Sequence, residues 1–193
     1  MRIRWKGVPT VLFEDELLDK GFTRGRAAAD RVNESKRTFR VRKQMSRMVQ
    51  TSSDTIAEYL LEVVSTWPSL DRMPDFDQSM IEAAVGTDMY RKNLASLQWA
   101  ASQIRVVASQ NVKKIIRTAN IEFMHTCRRE AYGRISSIVG QVGKGLAWLN
   151  ESREILKVLP TIHSDEPCVV ITGSPNVGKS ALIRALSSGE PEV

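Results

Sequence analysis

The sequence predicts a mainly α protein: an antiparallel helical bundle over residues 1–160, followed over 161–193 by the first strand, phosphate loop and helix of an α/β domain. Three observations lead there. Apolar residues recur at steps of three and four through most of the first 159 positions, the period of one helix face. Prolines stand between those stripes, at Pro68, Pro74 and Pro160. Gly173-Ser-Pro-Asn-Val-Gly-Lys-Ser180 fits the pattern G-x-x-x-x-G-K-S/T and lies between an apolar β-branched run and a helical one.

After an extended start at Pro9-Thr-Val-Leu12, a first helix is expected over about 14–30, weakened by Gly21 and Gly25. A second begins near Asn33 or Ser35 and ends before Pro68. Its apolar stripe is Met45, Met48, Val49, Ser52, Ile56, Tyr59, Leu60, Val63 and Trp67. Asp75 is placed as the N-cap of a short helix to Val85, with Gly86 as its stop. Thr87 then caps the longest helix, whose seam runs through Tyr90, Leu94, Leu97, Ala101, Ile104, Ala108, Ile115 and Ala119. Only Ser109-Gln-Asn111 interrupts it. A further helix, which the spacing leaves open to being continuous with that one, carries Ile135, Ile138, Val139, Val142, Leu146, Leu149, Leu156 and Leu159. Pro160 ends it. Beyond the connection 161–166, Cys168-Val-Val-Ile-Thr172 reads as a buried strand and Ala181–Leu186 as the helix after the loop.

The loop chemistry requires these residue types. Glycines let the backbone turn so that successive N–H groups face phosphate oxygens, and the helix starting near Lys179 adds its positive dipole end. Gly173, Ser174, Pro175, Asn176, Val177, Gly178, Lys179 and Ser180 are the predicted nucleotide-binding residues. In the motif's usual roles, Lys179 reaches the β- and γ-phosphates and Ser180 ligates Mg²⁺. Hydrolysis also needs a second Mg²⁺-binding acid and a group that positions the attacking water. Only residues 181–193 follow the loop, so the chain is read as a fragment holding the first strand and helix of that domain.

Charge is segregated along the chain. Residues 1–50 carry 13 basic and 6 acidic groups, residues 51–90 carry 1 and 8, and residues 91–134 carry 9 and 2. Arg37, Arg40, Arg42, Lys43 and Arg47 form the block chosen as candidate contacts to nucleic-acid phosphates. A solvated helix face paired with the acidic block is the plainer reading of the same residues. Cys127 and Cys168 are too far apart in sequence to suggest a disulfide framework, which fits a reducing, cytoplasmic setting. No apolar stretch approaches membrane-spanning length.

Smaller signals reduce to structure. Gly140-Gln-Val-Gly143 and Val142-Gly-Lys-Gly145 imitate nucleic-acid and phosphate loops, but they sit in a helical period, where small residues let helices approach. His125, Cys127, His163 and Cys168 lack zinc-site spacing. Trp5, Trp67, Trp99 and Trp148 are read as core or interface anchors. No Ser-His-Asp, Cys-His or paired-carboxylate arrangement stands out.

Two segments carry a resemblance. Trp5-Lys-Gly-Val-Pro-Thr-Val-Leu12 resembles the opening of the nucleolar GTP-binding proteins of the Nog type, on the Obg-related branch of P-loop GTPases. Leu159-Pro-Thr-Ile162, with the loop 173–180, resembles that family's approach to its GTPase domain. The order of basic helices, acidic turn, long helices and GTPase is similar along the whole chain. The lack of a long lysine-rich nuclear signal fits an archaeal, cytoplasmic member, whereas eukaryotic relatives would be nucleolar. The resemblance implies an N-terminal helical bundle followed by a truncated α/β P-loop GTPase domain that binds GTP or GDP with Mg²⁺. It implies a role in assembly of the large ribosomal subunit, with the bundle contacting ribosomal RNA and assembly proteins. It also implies that Asn176 helps hold a K⁺ ion beside the phosphates; a turn residue tolerating an unusual backbone angle is the competing reading. The family's switch threonine, D-x-x-G and N-K-x-D motifs are missing from this chain, so little GTP turnover is expected of it. Two other functions stay open: a helical protein-interaction module that does not act on RNA, and a P-loop ATPase with a helical regulatory domain.

Overall fold

A computed structural model describes residues 5–159 and 171–186. The chain divides into two compact units, residues 1–159 and 160–193.

In the first unit a short 3₁₀ turn, Trp5–Gly7, precedes α1 (Glu14–Asp30), α2 (Arg37–Thr66), α3 (Asp75–Val85), α4 (Thr87–Arg117) and α5 (Ile121–Lys157). The mainly helical expectation holds. Four buried residues one turn apart, Leu17, Gly21, Gly25 and Ala29, face α1 inward. The two glycines have a purpose that helix propensity hides. A Cβ on Gly21 would stand 2.5 Å from the Ile56 side chain, and one on Gly25 would stand 2.7 Å from the Met48 carbonyl oxygen. Only glycine lets α1 lie this close to α2. As positions rise along α1 they fall along α2, so the pair is antiparallel.

The second helix starts at Arg37, later than the sequence suggests. Side chains of its own first turns explain the delay. Arg40 donates to the Glu34 carbonyl, and Lys43 pairs with the Glu34 carboxylate, holding that segment outside the helix. The other end stops before Pro68, as expected. Pro74, not Asp75, occupies the N-cap of α3; Asp75 is its first helical residue, placed at the positive end of the dipole. Gly86 closes α3 with φ +80, a conformation costly for any side chain. Nor is Thr87 a cap. It opens α4, and both its N–H and its hydroxyl donate to the Glu82 carboxylate, so α3 caps its successor. That pair of bonds holds Glu82 below the ordinary carboxylate range, the hydroxyl's being the larger influence.

At 37 residues α5 is longer than α4, which has 31, and it is a separate helix. The corner between them is made by two polar side chains. Thr118 Oγ1 accepts from the Asn120 N–H at 3.1 Å, and Asn120 Oδ1 accepts from the Phe123 N–H at 3.1 Å. These local bonds replace helical ones, and an N-cap asparagine of this kind is worth about 1 kcal/mol. The glycine pair in α5 accommodates a neighbour, as the sequence suggests. Glu14 of α1 lies against it, with a carboxylate oxygen 2.6 Å from where a Gly143 Cβ would stand.

Long-range pairs set the bundle's direction. Arg42 meets Thr118 at one end of α2 and α4, while Trp67 meets Tyr90 at the other. Lys114 pairs with Glu130, and Asn93 lies against Gly145, so α4 and α5 are antiparallel. Leu17, Ile56, Leu60, Leu97, Ile104, Ile135, Leu146 and Leu149 are fully buried in the main core. Each removes apolar area worth about 1.5–3 kcal/mol. A second cluster of Met45, Val49, Ala108, Ile115, Met124, Cys127 and Ala131 fills the end where α2 begins.

The segment before α1 is a strap across the bundle. Asn150 receives the Val11 N–H at 2.9 Å and donates to the Val11 carbonyl at 2.6 Å, as a neighbouring strand would. Leu12 N–H donates to the Tyr59 hydroxyl, and Arg153 Nε donates to the Val8 carbonyl. Trp5, Trp67 and Tyr90 then stack edge to face with centroids 5.4–6.4 Å apart. Burial pushes the Tyr90 phenol far above its usual value.

In the second unit, α6 (Lys179–Leu186) follows the glycine-rich loop. No strand is formed among the described residues. Cys168–Val170 of the expected strand lie outside them, and Ile171 and Thr172 join no ladder.

Candidate functional site

The residues singled out from the sequence fall in two places: the loop 173–180 and the end of the bundle where α2 and α5 begin.

The loop turns sharply through two residues of positive φ. Asn176 at φ +63 and Gly178 at φ +88 are its two left-handed residues. Asparagine and glycine adopt that region at least cost, so the turn alone is sufficient reason for asparagine at 176. Gly178 also accepts the Leu182 N–H at 2.9 Å, which starts the helix directly behind the loop. Lys179 bends back over the loop, its ammonium donating to the Gly173 and Ser174 carbonyls at 2.9 and 2.7 Å. A cation clamped across the loop, ahead of a helix N-terminus, suits a polyphosphate.

Gly173 to Gly178 are exposed, while Lys179 and Ser180 are half-buried. Among the described residues no group of three His, Cys, Asp or Glu could hold a metal. The Ser180 hydroxyl, in the first turn of α6, is a hard oxygen of the kind that ligates Mg²⁺.

The five basic residues chosen from the sequence separate into two kinds. Arg37, Arg40, Lys43 and Arg47 are exposed and follow one another at helical spacing. This stripe is opposite the buried stripe of Met45, Val49 and Ile56. Arg42 points elsewhere. Its guanidinium lies over the Phe39 ring at 5.2 Å and donates to the Thr118 carbonyl at 2.7 Å, tying α2 to the α4–α5 corner. Arg40 and Lys43 share Glu34, whose carboxylate is held low chiefly by its bond from Lys43. Arg37 and Arg47 have no hydrogen-bond or ion-pair partner among the described residues.

The fold adds cations that the sequence-based choice omitted. The end of α4 brings Lys113, Lys114 and Arg117 beside the same corner, and the start of α5 brings Arg128, Arg129 and Arg134. Some are paired: Lys114 and Arg134 with Glu130, and Arg129 with Glu122. Together, stretches 30–47 and 113–134 hold 13 basic and 4 acidic residues. The signal was already in the sequence, since 91–134 is as basic as 1–50. Reading it required knowing that α4 runs antiparallel to α2. The acidic block 51–90 is carried to the other end, on the last turns of α2, on α3 and at the start of α4.

No helix among the described residues is long and apolar enough to cross a membrane.

The family of the NOG1 N-terminal helical domain matches residues 5–163. An uncharacterized protein of Methanocaldococcus jannaschii, MJ1408, is 32% identical over 191 residues, covering 98% of this chain and 54% of that protein. Nucleolar GTP-binding protein 1 of Saccharomyces cerevisiae is 25% identical over 194 residues, covering all of this chain and 30% of the yeast protein. Its Drosophila melanogaster namesake is 25% identical over 162 residues, 84% of this chain and 25% of the fly protein. The chain thus spans about half the length of the first relative and under a third of the others.

Proposed function

The chain belongs to the family of the NOG1 N-terminal helical domain, and from that premise we propose that it is the N-terminal part of a GTP-binding protein of large ribosomal subunit assembly. Its bundle contacts ribosomal RNA and assembly proteins, and its loop holds the phosphates of GTP or GDP. In this reading Lys179 and the loop N–H groups bind the phosphates, and Ser180 ligates Mg²⁺. A cytoplasmic site of action goes with the same reading. The names of the relatives support the nucleotide, and their partial coverage supports a longer parent protein.

The observation that carries the RNA half is the convergence of two separate basic blocks at one end of the bundle. Segregated charge on a folded unit is the footprint of a phosphate backbone, and such binding weakens steeply with salt. A protein-binding apolar groove would be far less sensitive.

Competition of GTP and ATP for the full-length protein, with Mg²⁺ and beside Lys179→Ala, tests the nucleotide half. GTP should bind without displacement by ATP, and Lys179→Ala should weaken it at least about tenfold, the scale of a charged hydrogen bond. Preference for ATP would overturn the GTPase reading and favour the ATPase alternative.

A further inference from the structure

Around the α4–α5 corner, exposed apolar side chains stand among the cations. Phe39 is 47% exposed, Ile116 55% and Phe123 45%. Polar contacts bring the two phenyl rings to this corner. Arg42 lies over one face of Phe39 and bonds the Thr118 carbonyl; two residues on, Asn120 caps the N–H of Phe123. Their surroundings are strongly cationic, and Glu34, Glu122 and Glu130 are already engaged by local cations. An apolar protein surface would leave that surplus charge uncompensated. A polyanion with exposed aromatic faces matches both features. Duplex RNA offers phosphates but keeps its bases stacked inside the helix, where phenyl rings cannot reach them.

We propose that this end of the bundle takes an unpaired stretch of RNA, with phosphates on Arg37, Arg40, Lys43, Arg47, Lys113 and Arg117, and bases stacked on Phe39 and Phe123. The inference rests on the proposed RNA contact and adds the form of RNA and two side chains that select it. Bases stack on aromatic rings without regard to sequence, so the preference is for single strands rather than for particular bases.

The test is fluorescence anisotropy of the 193-residue chain with an RNA of about twelve nucleotides, single-stranded or annealed to its complement. The single strand should bind at least about tenfold tighter. Phe39→Leu and Phe123→Leu, which keep apolar volume but lose the π-face, should each weaken it about 5- to 150-fold, the range of one base–aromatic stack. The slope of affinity against salt should stay unchanged. Phe39→Trp should bind at least as tightly as the parent, and helix content by circular dichroism should be the same in every variant. Equal affinity for duplex, with both leucine variants unaffected, would overturn the stacking inference and leave RNA contact standing. Absence of salt-dependent binding to either RNA would overturn the RNA reading itself, and this inference with it.

Discussion

Asn176 shows how one side chain can answer to two requirements that a single substitution separates. Its φ of +63 is met by asparagine or glycine, so the turn accounts for its presence without a ligand. Support of a K⁺ ion by Asn176 is our proposal, and it needs the side-chain oxygen. Asn176→Gly should therefore keep GTP affinity in the full-length protein within about threefold, well under the tenfold that 1.4 kcal/mol represents. Asn176→Val, whose branched Cβ resists positive φ, should bind markedly less. Hydrolysis separates the two roles. If potassium accelerates the parent protein but not Asn176→Gly, the amide holds the ion; equal rates in potassium and sodium leave Asn176 to the turn alone.

Among the helices, what was legible was the apolar period. Met45, Val49, Ile56, Leu60 and Val63 mark the inner face of α2 in the sequence itself, because burial against a bundle demands that spacing. The capping details were not legible, for a physical reason. Thr87 is served by Glu82 from the preceding helix, and Pro74 displaces Asp75 from the cap, so both depend on where α3 meets α4. The same holds for Gly21 and Gly25, which weaken α1 in isolation yet allow its contact with α2. Their value is measurable against Gly133, where an added Cβ meets nothing within 4 Å. Gly25→Ala should lower unfolding stability by about 1–3 kcal/mol, as overpacking does. Gly133→Ala should raise it by about 0.5–1 kcal/mol through helix propensity. Urea denaturation of the two variants checks both signs; stabilisation by Gly25→Ala would mean that α1 does not approach α2 so closely.

At the scale of the whole bundle, the fold converts an alternating charge pattern along the chain into two poles. The sequence shows blocks of net +7, −7 and +7 but not which of them meet. Antiparallel packing of α2 with α4, fixed by the Arg42–Thr118 and Trp67–Tyr90 contacts, brings the basic stretches 30–47 and 113–134 of the two positive blocks to one end, while Arg91 of the second stays at the other end, paired with Asp71. Sequence reasoning found the α2 half of the basic pole and missed the half supplied by α4 and α5. It also grouped Arg42 with its neighbours, because charge alone does not say which way a side chain points. Of the five residues, Arg42 is the one committed to holding the corner, and the other four are exposed on the face that would meet a polyanion. The most direct measurement is the dependence of RNA affinity on salt for the chain and for a variant with Arg37, Arg40, Lys43 and Arg47 all replaced by glutamine. The account predicts that the slope of log affinity against log salt flattens by about 3, roughly 0.7 for each single-strand phosphate that the variant no longer neutralises. A slope equal to the parent's would show that these residues face solvent and nothing else, and would contradict the account.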